Sequence, residues 1–147
     1  MKTVKQILET KGNQIWSITS DKTVYKALEI MAEKEMGALM VIDNGKLVGI
    51  LSERDYARKV ILKGVSSLKT PVKDIMTTKV AYVTPENTLE ECMALMTDKR
   101  CRHLPVMKKN QLIGVLSIGD LIKASIAEKE FLINQLEKYI SGDFASA

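Results

Sequence analysis

The sequence is poor in the residue types that build metal and redox sites. Aromatic residues make up only 5% of the chain, and Cys92, Cys101 and His103 are its only cysteines and histidine. Cys101 and His103 are too few ligands for a zinc site. We expect the cysteines to be small apolar side chains in a reducing compartment, and we expect no metal site.

Long hydrophobic runs are absent as well. The longest apolar stretch, residues 36–42, contains Gly37 and is far shorter than a helix that spans a bilayer. The opening residues, Met1 to Lys5, do not contain the apolar segment of a secretory signal. We therefore expect a soluble, cytoplasmic protein with no membrane partner.

The chain also lacks a strong excess of one charge. Its 22 Lys and Arg residues outnumber its 18 Asp and Glu residues, for a net charge of +4. That excess suits an anionic ligand but does not single out nucleic acid. The 147 residues suffice for one domain, or for two small units that share a core. With so few aromatic residues, this core must be aliphatic.

What the chain does contain is an internal repeat. Eleven residues between positions 19 and 55 recur unchanged 65 positions later, without a gap. The opening segment 4–7 (VKQI) also recurs, as 72–75 (VKDI), with a shift of 68 residues. Two duplicated copies of this size can pack face to face with pseudo-twofold symmetry, whereas one copy alone would have a marginal core.

Each copy is predicted to fold as β-α-β-β-α behind a short opening helix. Thr23 and Thr88 occupy N-cap positions, and Thr88 forms a capping box with Glu91. The turn at residues 43–46 (DNGK) favours a hairpin because Asn and Gly tolerate positive φ. The predicted elements are opening helices at 4–10 and 72–76, first strands at 15–18 and 80–83, hairpin strands at 38–42, 47–51 and 104–107, and last helices beginning near Asp55 and Asp120.

A long amphipathic helix is predicted after the second copy, at residues 123–139, with Gly142 as its stop. The apolar residues near one face of this helix are Ile126, Ile133, Leu136 and Ile140. Such a face needs a partner, which is either the opening segment of the first copy or a second subunit.

These patterns indicate an α/β (α+β) fold with four parts. They are repeat 1 at residues 4–64, a linker at 65–71, repeat 2 at 72–125, and a C-terminal helix and tail at 126–147.

The most informative motif is the corner between the last strand and the last helix of each copy, GILSERD at 49–55 and GVLSIGD at 114–120. A helix N-terminus presents free N–H groups that favour phosphate, and an Asp held there can accept hydrogen bonds from a ribose diol. Ser-x-x-Asp is also an ordinary helix cap, and that interpretation stays open.

A second motif is the basic segment 100–106 (RCRHLPV) before a buried strand. Its arginines and histidine can donate to anions, while the matching segment 35–41 of the first copy has no basic residue. We therefore expect the two sites to differ. The alternative is a solvated charged loop.

Taken together, VGILSERD at 48–55, RHLPV at 102–106 and IGVLSIGD at 113–120 resemble the motifs of CBS domains. The resemblance covers about residues 4–125. The chain is similar to stand-alone two-CBS proteins, which share the SERDYARKV segment and the YISG ending. The resemblance implies one Bateman module of two CBS repeats, a disc-like homodimer, and clefts between the copies that bind an adenine nucleotide (AMP, ADP, ATP or NAD) or S-adenosylmethionine.

The resemblance also implies two sets of site residues. In each cleft the Asp would hold the ribose hydroxyls and basic residues would meet the phosphates. Arg54 could supply the phosphate contact that residues 37–38 lack. The cleft with Asp120 is expected to use Thr19, Asp21, Arg102, His103, Ser117 and Asp120. The cleft with Asp55 is expected to use Ala38, Leu39, Ser52, Arg54, Asp55, Val83 and Thr84.

Three functions compete at this point. A nucleotide sensor would act on a separate regulated protein, because the rest of the chain holds no domain for it to control. An enzyme is not expected, since the sequence has no phosphate-binding Gly-rich loop, no nucleophile with paired carboxylates, no metal cluster and no catalytic cofactor motif. A nucleic-acid-binding protein or a ligand-free dimerisation scaffold is the alternative. The basic runs favour nucleic acid, but stacking aromatic residues are missing.

Overall fold

The computed structural model describes residues 1–141 as two similar lobes. The first lobe is built on a three-stranded sheet in the order β1-β2-β3 and the second on a two-stranded sheet, β4-β5. The predicted α/β (α+β) repeat is confirmed. The elements are α1 (Val4–Lys11), β1 (Ser17–Ile18), α2 (Val24–Lys34), β2 (Ala38–Asp43), β3 (Lys46–Ser52), α3 (Glu53–Tyr56) with a π-helical continuation (Ala57–Ile61), a 3₁₀ turn (Val72–Asp74), α4 (Leu89–Lys99), β4 (His103–Lys108), β5 (Gln111–Ser117) and α5 (Ile118–Ser141).

The pseudo-twofold relation extends to backbone detail. Both hairpins are antiparallel, and each has an irregularity at the equivalent step, between Val41 and Ile42 and between Val106 and Met107. The predicted turn is formed with positive φ at Asn44 and Gly45, 50° and 77°. The helix N-caps at Thr23 and Thr88 are also confirmed.

Two opening elements of the second copy differ from the prediction. Residues 80–83 do not form a strand; only Val83 pairs, in a single parallel bridge to Val106. The chain before it turns instead toward the first lobe, where Thr77 pairs with Ile50 on β3. The predicted opening helix at 72–76 is reduced to the 3₁₀ turn, which follows Pro71.

The last helices begin two residues earlier than predicted, at Glu53 and Ile118. Ser52 caps the first of them, so the helix starts directly after β3. In the second copy, the last helix and the C-terminal helix are one continuous element, α5, and the predicted 125/126 boundary falls inside it. Gly142, the predicted stop, lies outside the described residues.

The opening segments are exchanged between the lobes. Val4 and Ile7 of α1 lie in the core of the second lobe, with residues of α4, β4 and α5. Val72 and Ile75 lie in the core of the first lobe. Paired backbone hydrogen bonds hold each segment in place, such as Val4 N–H to Asn87 C=O at 2.8 Å and Val72 N–H to Lys22 C=O at 2.8 Å.

The opening segment of the first copy covers only the start of α5, before the apolar face that we predicted at Ile126, Ile133, Leu136 and Ile140. Leu121 and Ala124 of α5 share a core with Val4 and Ile7 of α1. The later apolar residues, from Ile126 to Ile140, are exposed. No helix within residues 1–141 combines the length and the apolar content needed to cross a membrane.

Candidate functional site

A cavity of about 1470 Å³ lies between the two lobes. The first lobe contributes the loop after α2, the start of β2 and the β3–α3 corner with its π-helical continuation. The second lobe contributes the chain before Val83, the end of α4 and the α4–β4 loop. Its lining includes Gly37, Ala38, Ser52, Glu53, Arg54, Asp55, Arg58, Lys59, residues 77–81 and residues 99–103.

Asp55 is fixed at this cavity by a reciprocal helix cap. The Ser52 N–H and hydroxyl both donate to Asp55 Oδ2 at 3.0 Å, and the Asp55 N–H donates to Ser52 Oγ at 3.1 Å. The capping interpretation of Ser-x-x-Asp is therefore correct, and it holds the carboxylate at the lobe boundary with only 7% of the residue exposed.

The other contacts of Asp55 come from Thr77 and Lys59. The Thr77 hydroxyl lies 3.1 and 3.3 Å from the two carboxylate oxygens. Lys59, four residues along the same helical segment, places Nζ 3.1 Å from Asp55 Oδ1 and donates to the Ile75 carbonyl at 2.9 Å. Of these two donors, Lys59 is the more exposed.

Positive charge dominates the lining of the cavity. The lining contains seven lysine and arginine residues but only two acidic residues, Glu53 and Asp55. Such a concentration of cations in a concave site attracts a ligand with several negative charges. The seven basic residues are Arg54, Arg58, Lys59, Lys79, Lys99, Arg100 and Arg102.

His103 lies where the two copies approach each other. Its Cε1 is 3.4 Å from the position that a Cβ on Gly37 would take, and Glu53 Oε1 is 3.1 Å from the same point. Burial holds the pKa of His103 below its ordinary 6.5, and Lys11 and Arg102 lower it further, against the opposing effect of Asp120 and Glu53. The imidazole is therefore a neutral group near pH 7 that an incoming phosphate would help to protonate.

The corner at Asp120 has the same cap but a different partner. The Ser117 N–H and hydroxyl donate to Asp120 Oδ2 at 2.8 and 3.0 Å. Lys11, the last residue of α1, forms an ion pair with the same carboxylate at 2.8 Å and donates to the Val115 carbonyl. Burial opposes ionisation of Asp120, but the hydrogen bonds from Lys11 and Ser117 outweigh it and hold the pKa below its ordinary 3.8.

The structure brings together part of each predicted residue set. Arg102 and His103, which we had placed with Asp120, line the cavity that holds Asp55. Their roles in ligand binding stay predictions. The other predicted residues on the cavity are Ala38, Ser52, Arg54 and Asp55.

The remaining predicted residues lie away from the cavity. Leu39 and Val83 belong to the lobe cores. The Thr19 hydroxyl donates to Asp21 at 2.5 Å, and neither residue lines the cavity. The other three are Thr84, which lines a smaller cavity, and Ser117 and Asp120.

Sequence reasoning missed Thr77, Lys59 and Lys11. Lys59 had a signal, since it lies four residues after Asp55 on one helical segment. Thr77 and Lys11 had none. Each belongs to an opening segment that reaches the Asp of the other copy. The spacing of apolar residues along the chain does not indicate which copy an opening segment will contact.

The comparisons with known proteins agree with this architecture. The family model of the CBS domain matches residues 4–62 and 72–127. The CBS domain-containing protein CBSX3, mitochondrial, of Arabidopsis thaliana is 41% identical over 152 residues, covering 97% of this chain and 73% of that protein.

Two solved structures extend the likeness. A protein of Burkholderia ambifaria MC40-6 with CBS domains, which its description assigns to signal transduction, is 52% identical with a TM-score of 0.83, over 86% of this chain and 95% of that chain. The hexameric CBS-CP12 protein of bloom-forming cyanobacteria is 27% identical with a TM-score of 0.72, over 82% of this chain and 66% of that chain. With both repeats matched and the two lobes in place, this chain belongs to the CBS-domain family and carries a tandem pair of CBS domains.

Proposed function

We propose that this protein is a regulatory module that binds an adenine nucleotide, of the AMP, ADP, ATP or NAD class, in the cavity that holds Asp55. The observation that carries the proposal is the combination, in one cavity, of a fixed carboxylate and seven basic side chains. The carboxylate suits a ribose diol, and the basic side chains suit the phosphates. Binding would shift the population of lobe or subunit arrangements that a separate partner protein recognises.

The size of the cavity supports a nucleotide rather than an inorganic ion. Ligand pockets for small organic molecules commonly span roughly 300 to 1,000 Å³, and this cavity is at least as large. Its apolar surface comes from residues such as Ala38, Ile50 and Val80, which could pack against a purine ring.

The proposal assigns binding to this cavity and no catalysis. His103 is the one imidazole there, and within residues 1–141 its ring forms no hydrogen bond to a hydroxyl or thiol that it could activate as a nucleophile. Steady turnover of a nucleotide by the purified protein, lost in His103→Ala, would contradict this assignment.

The direct test is to denature the purified protein and identify any released nucleotide by mass spectrometry. The second step is to titrate AMP, ATP and NAD by calorimetry. Tight binding of one of them would identify the metabolite that is sensed. The absence of bound nucleotide and of heat with every adenosine compound would favour a dimerisation scaffold or a nucleic-acid partner. Retention on DNA that falls steeply with salt would select the latter.

The pH dependence of binding tests the role of His103. Burial keeps the pKa of His103 below 6.5 in the folded protein without nucleotide. Neutral His103 therefore contributes to the free energy of unfolding above pH 6.5, and this contribution is lost as the pH falls through the lowered pKa. A bound phosphate raises this pKa, so affinity should increase as the pH falls from about 7.5 to 6, by at most about tenfold per unit.

Calorimetry in two buffers of different ionisation enthalpy would measure the linked proton uptake. We expect uptake in the wild type and none in His103→Gln, which keeps a polar side chain of similar size. Equal uptake in both proteins would place the titrating group elsewhere.

We also propose that the protein is a homodimer in which the exposed part of α5 contributes to the interface. Ile126, Ile133 and Ile140 recur every seven residues and are 51%, 52% and 83% exposed, which is the spacing of a helix seam. Ile133→Glu should shift the protein toward the monomer in analytical ultracentrifugation. Tyr82→Glu, at a residue 59% exposed outside α5, is the control that should leave the mass unchanged.

A further inference from the structure

The two Asp corners are equivalent in sequence and in capping geometry, but a different group reaches each from the opening segment of the other copy. At Asp55 the group is the backbone and hydroxyl of Thr77. The Thr77 N–H and C=O exchange hydrogen bonds of 2.9 Å with Ile50, and its hydroxyl donates to the carboxylate. At Asp120 the group is the amine of Lys11.

The Lys11 amine contacts two acceptors at the Asp120 corner. It donates to the carbonyl of Val115, the counterpart of Ile50, and pairs with Asp120 Oδ2 at 2.8 Å. The side chains of Lys11 and Asp120 are only 30% and 18% exposed. A pair so shielded from solvent is screened less by salt than a surface pair.

The position of Lys11 is also fixed by its backbone. It ends α1, and the next residue, Gly12, has a φ of 95° and donates its N–H to the Leu8 carbonyl at 2.7 Å. A cation at this point also interacts favourably with the C-terminal end of the helix. The two lysines differ in exposure: Lys59 is 44% exposed and lies along the wall of an open cavity, although the side chain of its partner Asp55 is only 9% exposed.

We propose that Lys11 is a built-in cation that closes the Asp120 cleft, so that each chain binds one nucleotide, at Asp55. The inference rests on the proposed function and adds its stoichiometry. The amine pairs with one oxygen, Oδ2, of the carboxylate that a ribose diol would otherwise use. Its removal in Lys11→Ala exposes a second carboxylate corner with the same Ser-x-x-Asp geometry and thereby creates a second site.

The test is calorimetric titration with ATP, and separately with AMP, of the wild type, Lys11→Ala and Lys5→Ala. Lys5 is an exposed residue of the same helix and controls for the loss of one positive charge. We expect about one nucleotide per chain in the wild type and in Lys5→Ala, and about two in Lys11→Ala. In Lys11→Ala/Asp120→Ala the number should return to about one.

The outcomes separate this inference from the proposed function. Two nucleotides per wild-type chain, or one per Lys11→Ala chain, would overturn the role of Lys11 and leave the proposed function standing. Weaker binding in Lys11→Ala with unchanged stoichiometry would make Lys11 a ligand contact and also overturn it. No binding to the wild type or to Lys11→Ala would overturn both.

A measurement without nucleotide covers the case in which Lys11→Ala fails to fold. In reductive methylation of the wild type followed by peptide mass spectrometry, Lys11 should be modified more slowly than Lys5. Asp120→Asn should remove that protection. Equal rates for Lys11 and Lys5 in the wild type would overturn the inference.

Discussion

Asp55→Ala is expected to weaken adenine-nucleotide binding by about 1 to 3 kcal/mol, or roughly 5- to 150-fold, because the ribose diol loses its charged acceptor. The carboxylate is already held in place by Ser52 and Thr77, so the free protein needs little reorganisation to offer it. Calorimetry with the nucleotide released from the wild type measures the loss directly.

The repeat itself supplies the matched control for this variant. Asp120→Ala removes the same residue type from the same kind of cap, and each variant should lose about 1 kcal/mol of stability from its helix N-terminus. Only Asp55→Ala should also lose nucleotide affinity, by about 1 to 3 kcal/mol, as expected for the contact with the ribose. A loss confined to Asp120→Ala would put the nucleotide in the other cleft.

Gly49→Ala is expected to destabilise the protein by about 1 to 3 kcal/mol, because a methyl group there has no space. A Cβ on Gly49 would lie 2.7 Å from Met76 Sδ and 2.9 Å from the carbonyl oxygen of Thr77. The Thr77 backbone cannot move away, since it exchanges two hydrogen bonds with Ile50, the neighbour of Gly49. The variant therefore pushes the opening segment of the second copy off the first lobe.

Gly114→Ala is the matched variant on the other lobe. A Cβ on Gly114 would lie 2.9 Å from Leu8 Cδ2, the far end of a flexible side chain that can change its rotamer. We expect less than about 1 kcal/mol of destabilisation, since Gly→Ala also lowers the entropy of the unfolded chain. Chemical denaturation measures both free energies of unfolding, and equal losses would contradict this account of the lobe contact.

Much of the local structure could be predicted because neighbouring residues decide it. The Asn44–Gly45 turn, the Thr23 and Thr88 caps and the Ser52 and Ser117 corners all depend on groups within a few residues of each other. The first strand of the second copy was not predictable in this way. Residues 80–83 alternate as a strand does, but only Val83 pairs with a strand, while Val80 and Ala81 line the cavity.

The candidate site could be predicted only in part. Asp55, Ser52 and Arg54 were recognisable because the corner motif is local and occurs twice. The grouping of Arg102 and His103 with Asp55 was not, because it depends on how β4 of one lobe faces α3 of the other. A pattern of apolar and charged residues shows which side chains face inward or outward, but not which distant segment they meet.

By itself, the sequence determined the duplication, the element order of the first copy, the caps and the two Asp corners. The tertiary structure alone decided that the opening segments are exchanged, so that Thr77 reaches Asp55 and Lys11 reaches Asp120. The physical reason is that duplication gives both lobes nearly the same apolar surface, so that periodicity cannot tell which lobe an opening segment covers. This exchange sets a threonine hydroxyl at one carboxylate and a lysine amine at the other, and so makes two corners of like sequence chemically different.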